Sequence, residues 1–420
     1  MVEFRAPVGT RDVLPPESAR WERLIALFAG QVERAGYGLV LSPMFEDVGV
    51  FERVGEGTDV VRKEMYDFED KGGRRVALRP EGTASVVRAY VQHRPTPPFK
   101  AWYTGPNFRY ERPQAGRFRQ HHQLGVEALG TDDADLDVEV VALAWSVCAA
   151  LGLTQVTLLL NSLGDDLCRP PYLDALTEFL AAQGLCDEHA GTYEKNPLRV
   201  LDCKRETCRA ATAEAPRLVD LLCEPCGAHF ARVKAGLESL GVPFTLQPRL
   251  VRGLDYYTRT TFELAAEALD SAQNAVGGGG RYDKLAEALG GPPTPGIGFG
   301  MGIERLLLAC DAEAVFPGPA SAVDVWVIDA TGGSHALALT HELRAAGVSA
   351  DRSFDSRSMK SQFKSADRSG ARLALVVGDN EVAAATVTLR DLRAGDQETV
   401  GRADVVEHVR LCLSEMQELQ

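Results

Sequence analysis

The stretch NFRYERPQAGRFRQHHQLGVEALG, from Asn107 to Gly130, is the most informative part of this chain. Strand-forming residues flank the turn-forming segment RPQAGR, so the sequence predicts a β-hairpin with strands at 100–111 and 118–129. Four arginines crowd this hairpin, although the 420-residue chain has a formal net charge of −14. Buried guanidinium groups without an anionic partner are costly. The stretch therefore predicts either a phosphate-binding sheet face or an ordinary solvent-exposed one.

Side chains on a strand alternate between its two faces. One predicted face carries Arg119, His121, Gln123, Gly125 and Glu127. Such a surface suits a small zwitterion beside a phosphate, because arginine binds phosphate oxygens in a bidentate manner and a carboxylate accepts hydrogen bonds from ammonium or ring N–H groups. His121 and His122 are neighbours on one strand, so they should point to opposite faces and cannot chelate one metal ion together.

The stretch GIGFGMG, residues 296–302, alternates glycine with apolar residues. One face of this strand is bare backbone, which a flat group or another backbone can approach closely. A purine ring meets that demand, and Arg305 follows in the first turn of the next helix, where it can meet phosphate. Close helix–strand packing is the alternative explanation. The chain has no Gly-Lys dipeptide and no G-x-G-x-x-G pattern, which excludes the usual nucleotide-binding loops.

The pattern along the chain predicts an α/β (α+β) protein with three parts. An amphipathic helix at 17–38, the hairpin, a helix at 135–151 and later strands form a split domain, 1–165 and 246–318. Residues 166–245 hold most of the nine cysteines and show short helical patterns with little strand signal, which indicates a mainly helical insert. The segment FPGPAS, 316–321, reads as a linker, and alternating strands and helices predict a compact α/β domain at 322–420.

Composition excludes several classes of protein. No apolar run reaches the roughly 18 residues of a membrane span, and the N-terminus lacks the apolar core of a secretory signal. We therefore expect a cytoplasmic protein without membrane contact. The acidic balance argues against non-specific nucleic-acid binding, but local basic patches can still bind a specific nucleic acid.

The cysteines allow two interpretations. An odd number in a long chain favours reduced thiols over a disulfide framework. Cys203 and Cys208 are separated by four residues, and Cys223 and Cys226 by two. These spacings are compatible with a Cys₄ zinc site, and free thiols are the alternative.

Six stretches together resemble the class II aminoacyl-tRNA synthetases and, among them, the histidyl-tRNA synthetase family. FRYERPQAGRFRQHHQLGVE resembles motif 2, GIGFGMGIERLLLA resembles motif 3, and the helix at 17–38 followed by LVLSPMFE resembles motif 1, the dimer-forming element. RPEGT at 79–83, LVRGLDYYTRTTFE at 250–263 and GGGGRYDKL at 277–285 resemble signatures of the histidyl family. The resemblance covers nearly the whole chain and implies an antiparallel-sheet catalytic domain followed by an anticodon-binding domain.

The resemblance implies a reaction and its partners. Histidine and ATP, with Mg²⁺, would form histidyl-adenylate, and the histidyl group would pass to the 3′ end of tRNA(His). A homodimer is implied by motif 1. The alternative is a histidine-sensing regulatory paralogue of ATP phosphoribosyltransferase, which charges no tRNA, usually lacks the anticodon-binding domain and tends to lose the catalytic arginines.

The resemblance also implies roles for single residues, with no metal ligand among them. Arg109 and Arg252 are the implied catalytic residues and grip the α-phosphate from two sides. Phe118 is implied to stack on the adenine, and Glu127 and Tyr257 to read the imidazole. The implied ATP contacts are Arg109, Arg117, Phe118, Gly298, Gly300 and Arg305. The implied histidine contacts are Glu81, Gly82, Thr83, Arg109, Gln123, Glu127, Arg252, Tyr256, Tyr257 and Tyr282.

Two further surfaces have open roles. The insert at 166–245 is a candidate clamp for the tRNA acceptor arm. In the C-terminal domain, one helix face would carry Arg357, Lys360, Lys364 and Arg368. This face is either a contact for RNA phosphates or an ordinary solvated surface.

Overall fold

The computed structural model describes residues 3–55, 58, 60–201, 203, 205–251, 256–269, 274–319, 321, 323–354 and 357–418. Arg252 therefore lies outside the described residues. The chain divides into two compact units, one formed by the N-terminus to Leu14 and Arg20–Pro317, the other by Pro15–Ala19 and the chain from Gly318 onward. Among the described helices, none combines the length and apolarity that crossing a bilayer requires.

In its described residues, the first unit is a mixed α/β assembly with eleven strands. They are β1 (Gly38–Leu39), β2 (Phe45–Asp47), β3 (Tyr66–Glu69), β4 (Arg75–Leu78), β5 (Phe99–Phe108), β6 (Gln120–Leu129), β7 (Val156–Ser162), β8 (Thr245–Leu246), β9 (Thr258–Ala266), β10 (Ala275–Arg281) and β11 (Gly296–Gly302). Its helices are α1 (Glu17–Glu33), α2 (Val48–Gly55), α3 (Thr83–His93), α4 (Ala134–Ala150), α5 (Arg169–Ala181), α6 (Leu198–Leu201), α7 (Glu206–Ala211), α8 (Glu224–Ser239), α9 (Leu285–Ala288) and α10 (Ile303–Ala312). Val60–Glu64 forms a π-helical turn and Leu218–Asp220 a 3₁₀ turn.

An eight-stranded sheet of order β1-β5-β6-β11-β10-β9-β7-β8 organises this unit, and a small sheet β2-β4-β3 lies apart from it. The predicted hairpin is confirmed as the antiparallel pair β5–β6, in which Tyr103 lies opposite Gly125. The strands β6, β11, β10 and β9 are also mutually antiparallel. β5 ends three residues before Glu111, and β6 begins two residues after Phe118. The loop between the two strands is therefore longer than the sequence predicts.

The predicted first helix is confirmed but ends earlier, at Glu33 rather than at 38. Gly36 adopts a positive φ of 84°, and the Tyr37 N–H donates to the Val32 carbonyl at 3.2 Å. This is the wrapped-back geometry that closes a helix at glycine. Beyond it the chain runs straight into β1.

One face of the large sheet is covered by α1 and α4. The apolar side chains of β11, among them Phe299, are fully buried there, and Phe299 meets Phe28 of α1 with ring centroids 6.2 Å apart. Phe28 also contacts Trp102 of β5 at 6.1 Å. Burial of these large rings on one face leaves the other face of the same strands to carry polar and glycine residues.

The segment 166–245 forms helices α5 to α8 and shares apolar clusters with the sheet domain. Phe230, Val233 and Leu237 of α8 lie in the cluster that contains α1 and α4, while Tyr172 and Leu176 of α5 lie in a cluster with Phe51 and Tyr282. A buried ion pair also joins these parts, because Asp137 of α4 binds both Arg281 of β10 and His229 of α8. The segment 166–245 is thus joined to the rest of the first unit by both apolar and ionic contacts.

The second unit contains a five-stranded sheet of order β13-β12-β14-β15-β16. Its elements are β12 (Val325–Asp329), α11 (Ser334–Ala345), β13 (Ala350–Arg352), α12 (Met359–Ser369), β14 (Leu373–Val377), α13 (Asp379–Ala384), β15 (Thr386–Asp391), β16 (Gln397–Gly401) and α14 (Val405–Glu418). The predicted alternation is confirmed as far as β14, with β12, β13 and β14 parallel. The antiparallel strands β15 and β16 and the last two helices extend it.

Candidate active site

The polar face of β6 and the glycine face of β11 form one floor. These strands pair in antiparallel register, so that Glu127 lies opposite Gly298 and Gln123 opposite Gly302. β10 continues the floor, with Gly280 opposite Gly298. Every second residue of three adjacent strands thus faces the same side of the sheet, as the period-2 pattern predicts.

Glu127 lies at the deep end of the floor and is fully buried. Its carboxylate accepts a 2.6 Å hydrogen bond from the Thr83 hydroxyl and a short one from the Tyr282 hydroxyl. Burial raises the pKa of Glu127 to about 8, although these two hydrogen bonds oppose the rise. A carboxyl in such surroundings is held uncharged near neutral pH until a cationic or N–H-bearing group enters.

The raised pKa of Glu127 predicts a pH-dependent gain in stability for Glu127→Gln. The folded protein holds a proton on Glu127 up to a pH near 8, whereas the unfolded chain releases it near 4, so wild-type stability falls as pH rises through this window. Relative to wild type, the variant should gain about 2–3 kcal/mol between about pH 5 and 7.5. Urea unfolding at several pH values measures this gain.

Glu238→Gln on the exposed side of α8 is the matched control. Its stability relative to wild type should be nearly independent of pH over the same range. A stability difference between Glu127→Gln and wild type that stays constant with pH would contradict the assignment of a raised pKa to Glu127.

Four tyrosines surround Glu127. Tyr256 packs against Tyr257 with ring centroids 4.7 Å apart and against Tyr282 at 5.9 Å. Burial and the neighbouring carboxylates, Glu127 foremost for Tyr282, raise the pKa of Tyr282 and Tyr256 well above 10, so both phenols stay protonated. The fourth, Tyr103 of β5, is 3% exposed, and the residue pattern gave no role to it. The glycine at position 125, which lies opposite Tyr103 in the hairpin, is the sequence feature that could have indicated a large side chain here.

Tyr103 fills two glycine gaps. A Cβ at Gly125 would lie 2.3 Å from the Tyr103 ring, and one at Gly82 would lie 2.2 Å from it. Real Cβ atoms do not approach other atoms so closely, so both positions must be glycine for the ring to enter. Gly82, predicted to contact histidine, therefore also has a packing reason to be glycine.

Packing requires glycine at some positions of β11 and not at others. A Cβ at Gly298 would lie 1.9 Å from the Glu127 carboxylate, and one at Gly296 would lie 2.4 Å from the Tyr282 ring. Only ordinary contacts, at 3.6 Å to the Gln123 side chain, would face a Cβ at Gly300. The bare backbone that suits a flat ligand is thus confined to Gly300 and Gly302, while Gly298 makes room for Glu127.

The turn before α3 presents Glu81 and Thr83 beside the floor. The Glu81 carboxylate accepts hydrogen bonds from the Thr83 and Ala84 backbone N–H groups at 2.6 and 2.8 Å, which satisfies two N–H groups at the start of the helix. Burial raises the pKa of Glu81, although these hydrogen bonds oppose the rise. Gln123 is oriented by a 2.7 Å hydrogen bond that its Oε1 accepts from Asn107.

Three partly buried arginines, Arg109, Arg117 and Arg305, lie near one another at the end of the floor next to the hairpin loop. The Arg109 Nε donates to the Pro80 carbonyl at 2.9 Å, and Arg305 donates to the carbonyls of Gly116 and Ala275 at 3.3 and 2.9 Å. Within the described residues, neither guanidinium has a carboxylate salt-bridge partner. Arg117 does, because it pairs with Glu111. Burial and then the charge of Arg117 lower the pKa of Arg305, although the Glu111 carboxylate opposes the fall. A bound anion would relieve the repulsion between the two arginines.

His121 and His122 point to opposite faces, as predicted. His122 lies on the α1 side, where its Nδ1 is 3.0 Å from the Glu304 carboxylate and its ring meets Trp21 edge-on. His121 lies on the floor side, where burial and the charge of Arg109 lower its pKa to about 3. Its imidazole is therefore uncharged at neutral pH.

Phe118 is not brought to the floor. The Arg11 guanidinium carbon lies 5.4 Å from the centre of the Phe118 ring and 5.8 Å from that of Trp21. Trp21 belongs to α1, so Phe118 lies towards the opposite side of the sheet from Gln123 and Glu127. The remaining predicted contacts within the described residues do gather around the floor.

The cysteines do not group as the spacing suggests. Cys203 and Cys208 lie with Cys186 and His189, whereas Cys223 and Cys226 lie with Cys168 and Asp165. A single Cys₄ site formed by Cys203, Cys208, Cys223 and Cys226 is therefore wrong. Sequence spacing identified the pairs but could not tell which other residues the fold would bring to each.

The arrangement suits one kind of ligand. A narrow pocket with a buried carboxyl and several phenolic hydroxyls can hold a small ring with N–H groups. The adjoining cluster of arginines can hold phosphates through bidentate contacts. A small amino acid placed in the first would have its carboxylate beside a phosphate in the second.

Comparison with known proteins agrees with this chemistry. The family model described as histidyl-tRNA synthetase matches residues 9–306, and the one described as anticodon binding domain matches residues 324–410. A histidine–tRNA ligase from Rhodococcus erythropolis is 49% identical over 410 residues, which cover 96% of this chain and 97% of that protein.

Solved structures agree as well. The crystal structure of apo histidyl-tRNA synthetase from S. aureus superposes with a TM-score of 0.81 at 35% identity and covers 97% of this chain and 100% of that one. An ATP phosphoribosyltransferase regulatory subunit/histidyl-tRNA synthetase from Bacillus halodurans has a TM-score of 0.62 at 23% identity, over 84% of this chain and 93% of that one, and shares the fold. The chain belongs to the histidyl-tRNA synthetase family.

Proposed function

We propose that this protein is a histidine–tRNA ligase, which joins histidine to the 3′ end of tRNA(His) at the expense of ATP. The observation that carries the proposal is the juxtaposition on one floor of a buried carboxyl, Glu127, with two arginines, Arg109 and Arg305, that are held by backbone carbonyls. The carboxyl can bind a ring with N–H groups, and the two arginines can bind phosphates.

The reaction follows from this placement. A carboxylate oxygen of histidine attacks the α-phosphorus of ATP, the bond from that phosphorus to the bridging oxygen breaks, and pyrophosphate leaves. Arg109 stabilises the negative charge that develops at the α-phosphate, while Arg305 and Arg117 bind the leaving phosphates. A terminal ribose hydroxyl of the tRNA then attacks the carbonyl carbon of the adenylate, and AMP leaves. Arg252 is proposed as the second α-phosphate contact and lies outside the described residues.

In the histidine pocket, Glu127 accepts a hydrogen bond from the imidazole, and the phenols of Tyr257 and Tyr282 close the pocket around the ring. Glu81, Thr83 and Gln123 receive the ammonium group. Amino acids without a ring N–H group could not donate to the buried Glu127 and would forgo this hydrogen bond, which is the physical basis for rejecting them.

We assign the adenine to the open backbone at Gly300. Phe118 was predicted to stack on it, but this ring lies beside Arg11. His121 is a planar side chain on the floor, and its low pKa keeps it uncharged beside Arg109. We therefore propose His121 as the stacking partner in place of Phe118.

Mg²⁺ bound with ATP would supply neutralisation of the phosphate charge. The carboxylates of Glu111 and Glu263 lie close enough to Arg305 to influence its pKa. Carboxylate oxygens are the ligands that Mg²⁺ prefers, so these two side chains would hold it. The protein is further proposed to act as a cytoplasmic homodimer whose second unit binds the tRNA.

The basic face of α12 is a proposed RNA contact. Lys360, Lys364 and Arg368 are exposed at four-residue intervals, which places them on one side of the helix. Phosphate contacts of this kind position an RNA without reading its sequence.

The test is ATP–pyrophosphate exchange with each proteinogenic amino acid in turn, followed by tRNA charging. We expect exchange with histidine and no other amino acid, and charging of tRNA(His). A protein that binds histidine but catalyses no exchange would instead be the regulatory paralogue. The match of residues 324–410 to an anticodon-binding domain favours the ligase, because that paralogue usually lacks this domain.

A further inference from the structure

Away from the floor, the segment 166–245 brings together four side chains that bind metals well. The ligand atoms of Cys186, His189, Cys203 and Cys208 all lie within 4.8 Å of one another. We propose that these four residues bind one structural zinc ion as a Cys₃His site. The proposal rests on this segment alone and does not depend on the reaction assigned to the floor.

The spacing of the ligand atoms matches a tetrahedral zinc site. Zinc binds cysteine sulfur at about 2.3 Å and histidine nitrogen at about 2.0–2.1 Å, so neighbouring ligand atoms are separated by about 3.5–3.8 Å. The His189 Nδ1 lies 3.2 Å from the Cys186 Sγ and 3.7 Å from the Cys208 Sγ. Shifts of a few tenths of an ångström bring these atoms to the required separations.

The backbone already supports the ligands. The His189 and Ala190 N–H groups both donate to the Cys186 carbonyl at 2.9 Å, which forms a tight turn between the first two ligands. The Cys186 N–H donates to the Cys208 Sγ at 3.4 Å. Hydrogen bonds from outside the first shell orient ligands and stabilise bound thiolates.

In the described chain between α5 and α8, regular structure is limited to α6, α7 and one 3₁₀ turn. The ligands come from the turns at 186–189, from the chain after α6 and from α7, two helices of only four and six residues. Cys186, Cys208 and His189 are nevertheless at most 9% exposed. Small loop-rich regions with little core of their own are commonly stabilised by a metal or a disulfide. Three sulfurs and one nitrogen favour zinc.

A second group of metal-binding side chains independently supports a further zinc site. The ligand atoms of Asp165, Cys168, Cys223 and Cys226 also lie within 4.8 Å of one another. The Cys168 Sγ is 3.4 Å and the Cys223 Sγ 3.7 Å from one Asp165 oxygen, and the Asp165 N–H donates to the Cys168 Sγ at 3.2 Å. Two residues separate Asp165 from Cys168, and two separate Cys223 from Cys226, which is the spacing of zinc knuckles. The structure assigns a Cys₃Asp zinc site to this group.

The experiment counts zinc in the full-length, tag-free protein by mass spectrometry. We expect about two zinc ions per chain. Cys208→Ser should lose the ion of the first group and Cys226→Ser that of the second, leaving about one in each case. Cys148→Ala is the matched control, because Cys148 is equally buried but lies in the sheet core outside both groups, and it should keep both ions.

A second measurement uses the wild-type protein in case a variant fails to fold. Cobalt exchanged for zinc should give the visible spectrum of tetrahedral thiolate coordination, and X-ray absorption should show three sulfurs and one lighter atom per metal. Wild-type protein without zinc, whether all nine thiols titrate or two are lost to a Cys186–Cys208 disulfide, would overturn both assignments. A folded Cys208→Ser or Cys226→Ser variant that keeps two ions would overturn the assignment to its group.

Discussion

Replacing Arg109 by alanine should lower the rate of histidine-dependent ATP–pyrophosphate exchange by about 10²–10³-fold. Arg109 is partly buried, is fixed by the Pro80 carbonyl, and is the residue we propose to stabilise the negative charge that develops at the α-phosphate. The loss should appear mainly in kcat, because the interaction strengthens in the transition state. Arg109→Lys should recover little activity, since lysine keeps the charge but lacks the bidentate fork.

Arg112→Ala is the matched control for this experiment. Arg112 belongs to the same hairpin tip but is exposed to solvent, so its loss should leave pyrophosphate exchange close to wild type. Equal activity of Arg109→Ala and wild type in this assay would remove Arg109 from the catalytic site and with it the main support for the proposed reaction.

Asp137→Asn should lower the free energy of unfolding by about 3–5 kcal/mol. Asp137 and Arg281 are both fully buried and form an ion pair, and His229 of the insert is 2.8 Å from the same carboxylate. The variant removes the fully buried carboxylate partner of Arg281, which keeps the partly exposed Asp283 at 3.1 Å, and it weakens the link between α4, β10 and α8. Chemical denaturation at neutral pH, followed by intrinsic fluorescence, measures the loss.

Asp135→Asn provides the comparison. Asp135 also joins α4 to α8, through a 2.7 Å pair with Arg232, but both side chains are more than half exposed. Solvent screens such a pair, so the variant should unfold much like wild type. Two variants of equal stability would show that the buried pair contributes no more than a surface one.

Acid should weaken the Asp137 contribution in the wild-type protein. Burial by itself would raise the pKa of Asp137, but the hydrogen bond with His229 and the charge of Arg281 together lower it. The stabilisation is therefore complete above the pKa of an unfolded aspartate, about 3.9, and is lost as pH falls further. The stability difference between wild type and Asp137→Asn should shrink in that range.

Local patterns were sufficient to predict the hairpin, the glycine strand and the polar floor. Alternation along β6 placed Gln123 and Glu127 on one face, and it separated His121 from His122. These features follow from the two-residue repeat of a strand, which does not depend on the rest of the molecule.

Features that depend on distant contacts could not be predicted in the same way. The sequence suggested empty space at Gly125 and Gly298, but only the fold shows that Tyr103 and Glu127 occupy it. Alternation along β6 puts Phe118 on the side of His122, where the structure has it; its predicted role beside the adenine came from the family resemblance and not from the strand pattern. The cysteine pairs were recognisable, yet their true neighbours Cys186 and Cys168 are up to 55 or so residues away along the chain.

The register between β6 and β11 has a consequence for how the protein is made. About 170 residues of chain separate Leu129 from its partner Gly296, and ribosomes add about 5–20 residues per second. The edge of β6 that pairs with β11 therefore stays unpaired for roughly 10–30 s during each round of translation. An unpaired strand edge invites pairing with other chains, so slowing translation between residues 130 and 295 should increase aggregation of newly made chains.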